Sequence, residues 1–144
     1  MNKRRKRGAL ELSFGMIFSI VLIVAFLAFG VYAIIKLLAM QETIQIESFL
    51  SDFQNDVDSM WKSSGSQTLV YSLPTSIKAV CFKNDQYQNL EFSSDEIIKG
   101  EMIEHLDIEK TTEEESPLCI ANNKGRVNLK LVKEYGETLV TVER

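Results

Sequence analysis

The sequence predicts an α+β protein: a long N-terminal helix, transmembrane and then amphipathic, packed on a small, mostly antiparallel β-sheet head. Three observations predict it. Residues 12–35 are a run of 24 residues without a charge. No Gly or Pro interrupts residues 31–64, so the chain carries no helix-stop signal there. Beyond residue 64, short β-branched and aromatic runs alternate with turn residues. The average composition, 45% hydrophobic and 25% charged, conceals this division. Lys3, Arg4, Arg5, Lys6 and Arg7 open the chain with no acid among them, whereas from Leu37 onward 10 basic residues face 19 acidic ones. That local balance of −9 sits beneath a net charge of only −4. The 144 residues admit one small soluble domain, and charge so unevenly placed excludes a simple cytosolic globule.

Residues 1–8 read as a basic cytoplasmic leader, and residues 9–38 as a transmembrane helix. At about 1.5 Å per residue, 24 helical residues span about 36 Å, enough for a hydrocarbon core of about 30 Å. A single spanning segment has to be helical, because lipid offers the backbone no hydrogen-bond partners. The stretch from Phe18 to Phe29 is apolar on every face, so it has no side suited to water. The remaining 100 or so residues are too few to bury such a helix in a soluble core. By the positive-inside rule the five basic residues keep the N-terminus in the cytoplasm and the acidic remainder outside, giving a single-pass protein of the cell membrane. A cleaved secretory signal competes with this reading, since Ala28-Phe29-Gly30 offers small residues at suitable spacing. The apolar character continues through Leu37 and Leu38, however, well past an ordinary signal core of about 7–15 residues.

Residues 39–63 read as an amphipathic extension of the same helix. Ala39, Ile46, Leu50, Phe53, Val57 and Met60 follow steps of three and four, Thr43 fills the gap, and Phe49 and Trp61 widen the stripe. The favoured partner of this stripe is the chain's own C-terminal domain; equivalent helices of other subunits are the alternative. Residues 63–66 end the helix.

Residues 64–144 form the head. Strands are expected over residues 67–73, 77–82 and 88–92, with Pro74-Thr75-Ser76 as a turn. Ser93 or Ser94 is expected to cap a short helix with apolar positions at Ile97, Ile98, Met102, Ile103 and Leu106. Residues 109–116 read as a charged loop and residues 122–125 as a turn. Val127, Leu129 and Leu131 alternate with polar residues as a half-buried strand, which Leu139, Val140 and Val142 partner across a hairpin containing Gly136.

Cys81 and Cys119 both lie in the part assigned outside the cytoplasm, where disulfides persist. A bridge closing 38 residues is favoured over two buried thiols and contributes ~3–4 kcal/mol by the chain-entropy account. Signs of catalysis are few. No nucleotide loop, nucleophile elbow or zinc-protease motif occurs. The single His105 is expected on a helix face among carboxylates, without the further ligands a metal needs. Glu113-Glu114-Glu115 lacks the spacing of a Ca²⁺ loop. The expectation is therefore no enzyme, no cofactor and no metal, and the −9 balance disfavours nucleic acid as an outside partner. No Asn-x-Ser/Thr sequon is present. Glu11, the only acid before residue 42, is either an interfacial carboxylate at a helix N-terminus or a partner for a cation on another subunit. Gly15-x-x-x-Ser19 offers a small-residue helix contact.

Lys6-Arg7-Gly8-Ala9-Leu10-Glu11-Leu12-Ser13-Phe14, followed at once by the apolar helix, resembles the class III signal sequence of type IV pilin-like proteins, archaeal ones especially. The resemblance covers about 40 residues. It implies removal of the basic leader by a prepilin-type peptidase after Gly8, leaving Ala9 as the mature N-terminus. It also implies that the helix holds the subunit in the membrane and later forms a filament core beneath a β-rich head. Glu11 would be the family's acidic residue, which pairs with a neighbour's N-terminal amine; it stands third after the junction, where the family usually carries it fifth. The head, with Trp61, the turn around Pro74 and Val80-Cys81-Phe82, resembles uncharacterised small archaeal membrane proteins. Two functions follow. The first is a pilin-like structural subunit that self-associates through its N-terminal helix, with the lipid membrane and other subunits as partners. The second is an uncleaved single-pass protein whose head binds another envelope protein.

Overall fold

The computed structural model describes residues 14–95 and 98–144, which form two helices and six strands. Helix α1 runs Phe14–Trp61; the strands are β1 (Gly65–Ser72), β2 (Ile77–Phe82), β3 (Leu90–Ser94), β4 (Leu118–Ala121), β5 (Arg126–Lys133) and β6 (Thr141–Glu143), with the short helix α2 (Ile108–Thr111) before β4. The α+β class stands: one long helix and small antiparallel sheets. The chain divides into two compact units, Met1–Met40 and Gln41–Arg144.

In the second unit the strands form two three-stranded sheets, ordered β1-β5-β6 and β3-β2-β4, rather than a single sheet. β1 pairs antiparallel with β5 over its whole length, from Gly65 opposite Lys133 to Ser72 opposite Arg126. β5 continues to β6 through the expected hairpin, with Lys130 opposite Glu143. β2 is central to the other sheet, holding β3 on one side and β4 on the other. Alternation decides the faces. Along β5, Val127, Leu129 and Leu131 are fully buried while Arg126 and Asn128 face water.

The core lies where the C-terminal part of α1 meets these sheets. Phe49, Phe53, Val57 and Met60, spaced four, four and three apart, are its buried stripe, with Ile46 and Leu50 half-buried beside it. Phe49 and Phe53 both meet the edge of the Tyr71 ring, at 5.3 and 5.7 Å between centroids, and reach Phe92 and Phe82 in the other sheet. The extension thus packs on its own head. The expected stripe is narrower at its start: Ala39 and Thr43 are exposed. The helix ends where Ser63 donates its N–H to the Met60 carbonyl, and Gly65 takes a φ of +137°, open to glycine, to enter β1.

One expected element is absent. Ser93 and Ser94 belong to β3, and residues 98–106 are irregular where a helix was expected; Ile97 lies outside the described residues. Leu90 and Glu101 exchange backbone hydrogen bonds, and a Cβ at Gly100 would stand 2.5 Å from the Leu90 carbonyl oxygen. The Asn89 side chain bonds both the N–H and the C=O of Ile103, replacing the partners a helix would supply. Ile103 and Leu106 are buried by this extended path instead of by a helical face. The helix appears in the expected loop: Asp107 caps α2 by accepting from the Lys110 N–H, and Thr112 ends it.

Candidate functional site: an apolar helix and a latched head

Among the described residues of the first unit, the helix presents apolar surface as far as Ile35. From Phe14 to Ile35 no residue is charged, and the large side chains from Phe14 to Leu38 are exposed on all sides of the helix. This helix is long and apolar enough to cross a membrane. The Ser19 hydroxyl donates to the Gly15 carbonyl at 2.8 Å. The first cation among the described residues is Lys36, whose ammonium lies 5.9 Å from the centre of the Tyr32 ring. An aromatic followed one turn later by a lysine suits the boundary between hydrocarbon and headgroups. Gly8, Ala9 and Glu11, the expected processing and pairing residues, lie outside the described residues.

In the second unit Cys81 and Cys119 are joined by a disulfide between β2 and β4. The Asn122 N–H to Lys78 carbonyl bond fixes the parity of this ladder and makes the two cysteines a non-hydrogen-bonded pair. At such pairs adjacent strands approach most closely, and the Cα atoms are 4.0 Å apart. The bridge joins neighbours within one sheet, with Cys81 buried.

A second fastening sits at the end of α1. Asp58 accepts from Nδ1 of His105 at 2.8 Å and from the Gln54 amide at 2.9 Å, while Gln54 Oε1 accepts the Glu104 N–H. The hydrogen bond from His105 holds the Asp58 carboxyl below its usual range, so it is ionised at neutral pH and the imidazole proton faces it. The Trp61 indole stacks on that imidazole at 3.9 Å between centroids, and its Nε1 donates to the Thr138 carbonyl. Lys133 donates its ammonium to the Trp61 carbonyl. His105 stands in a tight turn with a φ of +63°, not on a helix face as expected. The turn belongs to a segment whose Asp107 N–H and His105 carbonyl bond Val140, immediately before β6.

A His–Asp pair acts as a base in nucleophilic catalysis only beside a nucleophile. Among the described residues no Ser or Thr hydroxyl bonds this imidazole, and both cysteines are in the disulfide. Nor, among those residues, do three His, Cys, Asp or Glu side chains gather as metal ligands. Glu115, from the acidic run, pairs with Arg144 at 2.6 Å. The arrangement ties the last turns of α1 to two distant loops.

Sequence reasoning missed this latch. Asp58 and His105 are 47 residues apart, and nothing in the spacing of either marks the other. Asn89, Asn122 and Thr111 were also missed as the polar ties of the loops; a buried Asn or Thr has no periodic signature. No family model, curated protein or solved structure matches this chain.

Proposed function

We propose that this chain is a membrane-anchored, pilin-like structural subunit without catalytic activity. Its helix lies in the cell membrane, its N-terminus in the cytoplasm, and its disulfide-bonded head outside. The observation that carries the reading is the uncharged, exposed first part of α1, Phe14 to Ile35, a few residues behind five basic ones. A helix apolar on all faces needs lipid or other such helices around it, and self-association within the membrane surrounds it with both. The disulfide supports an oxidising compartment for the head. Leader removal by a prepilin-type peptidase between Gly8 and Ala9 would leave Glu11 near the new N-terminus. N-terminal sequencing of the protein from its native membrane tests this: a start at Ala9 is expected, and an intact Met1 would overturn the processing.

A second reading is an uncleaved single-pass protein whose head binds another envelope protein. Glu11 favours it by standing third after the junction instead of fifth. It predicts a heteromeric complex after mild detergent extraction and no filaments.

A further inference from the structure

Each sheet of the head has two edge strands, and among the described residues three of the four edges receive at least one hydrogen bond on their outer side. Outside β6, the Thr111 hydroxyl accepts the Val142 N–H, and the preceding Val140 is bridged to Leu106. Outside β3, Leu90 exchanges two backbone bonds with Glu101. Outside β4, Arg144 donates to the outward carbonyl of Cys119. β1 differs. The Leu73 N–H to Gly125 carbonyl bond extends the β1–β5 ladder and sets its parity, so Gly65, Gln67, Leu69 and Tyr71 bond to β5. The backbone groups of Ser66, Thr68, Val70 and Ser72 therefore point outward, and among the described residues no hydrogen bond reaches them.

This edge carries none of the usual protections. It runs eight residues without a bulge, and residues 63–77 contain no charge. Beside it lies a groove lined by Asp52, Asn55 and Asp56 of α1 and by Leu69, Val70 and Tyr71 of β1. No residue of β5 lines the groove, so it opens on the outer side of the edge. Asp56 accepts from the Tyr71 hydroxyl at 2.7 Å through one oxygen, and among the described residues no hydrogen bond reaches the other. Among the described residues neither Asp52 nor Asp56 has a cationic partner.

We propose that the outer edge of β1 takes up an extended segment of a partner protein as an added strand, whose alternate Lys or Arg side chains meet Asp52 and Asp56. Backbone pairing to Ser66, Thr68, Val70 and Ser72 supplies affinity, and the period of two supplies selectivity. The side chains of an added strand that stand on the helix side fall beside the two carboxylates; the others fall beside the exposed Thr68 and Val70. A second copy of β1 is a poor occupant, because its uncharged residues bring no cation and the pairing would place two sets of carboxylates near one edge. The inference stands whether or not the leader is removed.

The test uses the full chain in detergent micelles and fluorescent eight-residue peptides alternating lysine with threonine or valine. The lysine peptide is expected to bind, and its glutamate counterpart to bind at least about tenfold more weakly. N-methylation of alternate peptide amides should abolish binding, and amide exchange at Ser66, Thr68, Val70 and Ser72 should slow only when the lysine peptide is present. The double variant Asp52→Asn, Asp56→Asn keeps the Tyr71 acceptor and should lower affinity for the lysine peptide about tenfold with an unchanged melt. Equal affinity for both peptides, no change in exchange at those four amides, or protection that rises with protein concentration in the absence of peptide would each overturn the proposal.

Discussion

Asp58 ties Gln54, one turn before it on α1, to His105, 47 residues further on, and its ionisation is the condition for that contact. The His105 bond lowers its folded-state pKa below the ordinary value of 3.8. Stability from a depressed carboxylate is fully present above the unfolded pKa and is lost as pH falls through the folded one. Thermal melts are therefore expected to fall more steeply below about pH 4 for the native chain than for Asp58→Asn, which has no charge to lose. Parallel acid limbs for the two proteins would contradict the latch. Tyr71→Phe removes the hydroxyl bonded to Asp56 without touching the ring packing, so a loss of about 1 kcal/mol is expected in denaturant unfolding. Burial, first of all, and Asp56 beside it push the Tyr71 phenol well above its ordinary range, so this bond persists through mildly alkaline pH. Such contacts were not legible in the sequence. Hydrophobic periodicity reports one element at a time, whereas Trp61, His105 and Thr138 meet only after the sheets have formed.

Elements were legible in proportion to the regularity of their pattern. The stripe Phe53, Val57 and Met60 and the alternation Val127, Leu129 and Leu131 each match one period over several residues, and each element forms as read. Residues 98–106 misled because isoleucines and leucines spaced for a helix serve an irregular, buried path equally well once Asn89 supplies its hydrogen bonds. β4, four residues long, was too short to show a period. The packing assigns unequal weight along α1. Phe53→Ala should cost about 3–5 kcal/mol, since the ring is fully buried among Phe49, Tyr71 and Phe82, whereas Ile44→Ala should change unfolding by no more than about 0.5 kcal/mol. Comparable losses at the two positions would mean that the exposed turn around Ile44 is packed after all. Reduction of Cys81–Cys119 frees a loop of 38 residues and should lower stability by ~3–4 kcal/mol; an unchanged melt with and without reductant would contradict that role.

At the scale of the whole molecule, the uneven charge of the sequence becomes a division of labour. The exposed, uncharged first part of α1 and the disulfide-bonded head, whose core takes in the last turns of that helix, are different solutions to burying surface, the first requiring lipid or like helices and the second closing on itself. Val24→Arg, near the middle of the uncharged run, should therefore raise the insertion cost by about 2.5–3.5 kcal/mol and increase the fraction released by alkaline carbonate, leaving the head's disulfide intact. The placement of the two ends is the central claim, and labelling of intact native cells with a membrane-impermeant amine reagent tests it most directly. Lys124, exposed in the turn before β5, should be modified in intact cells, while Lys3 and Lys6, where present, are modified only after permeabilisation. Modification of Lys124 only after the membrane is opened would contradict it.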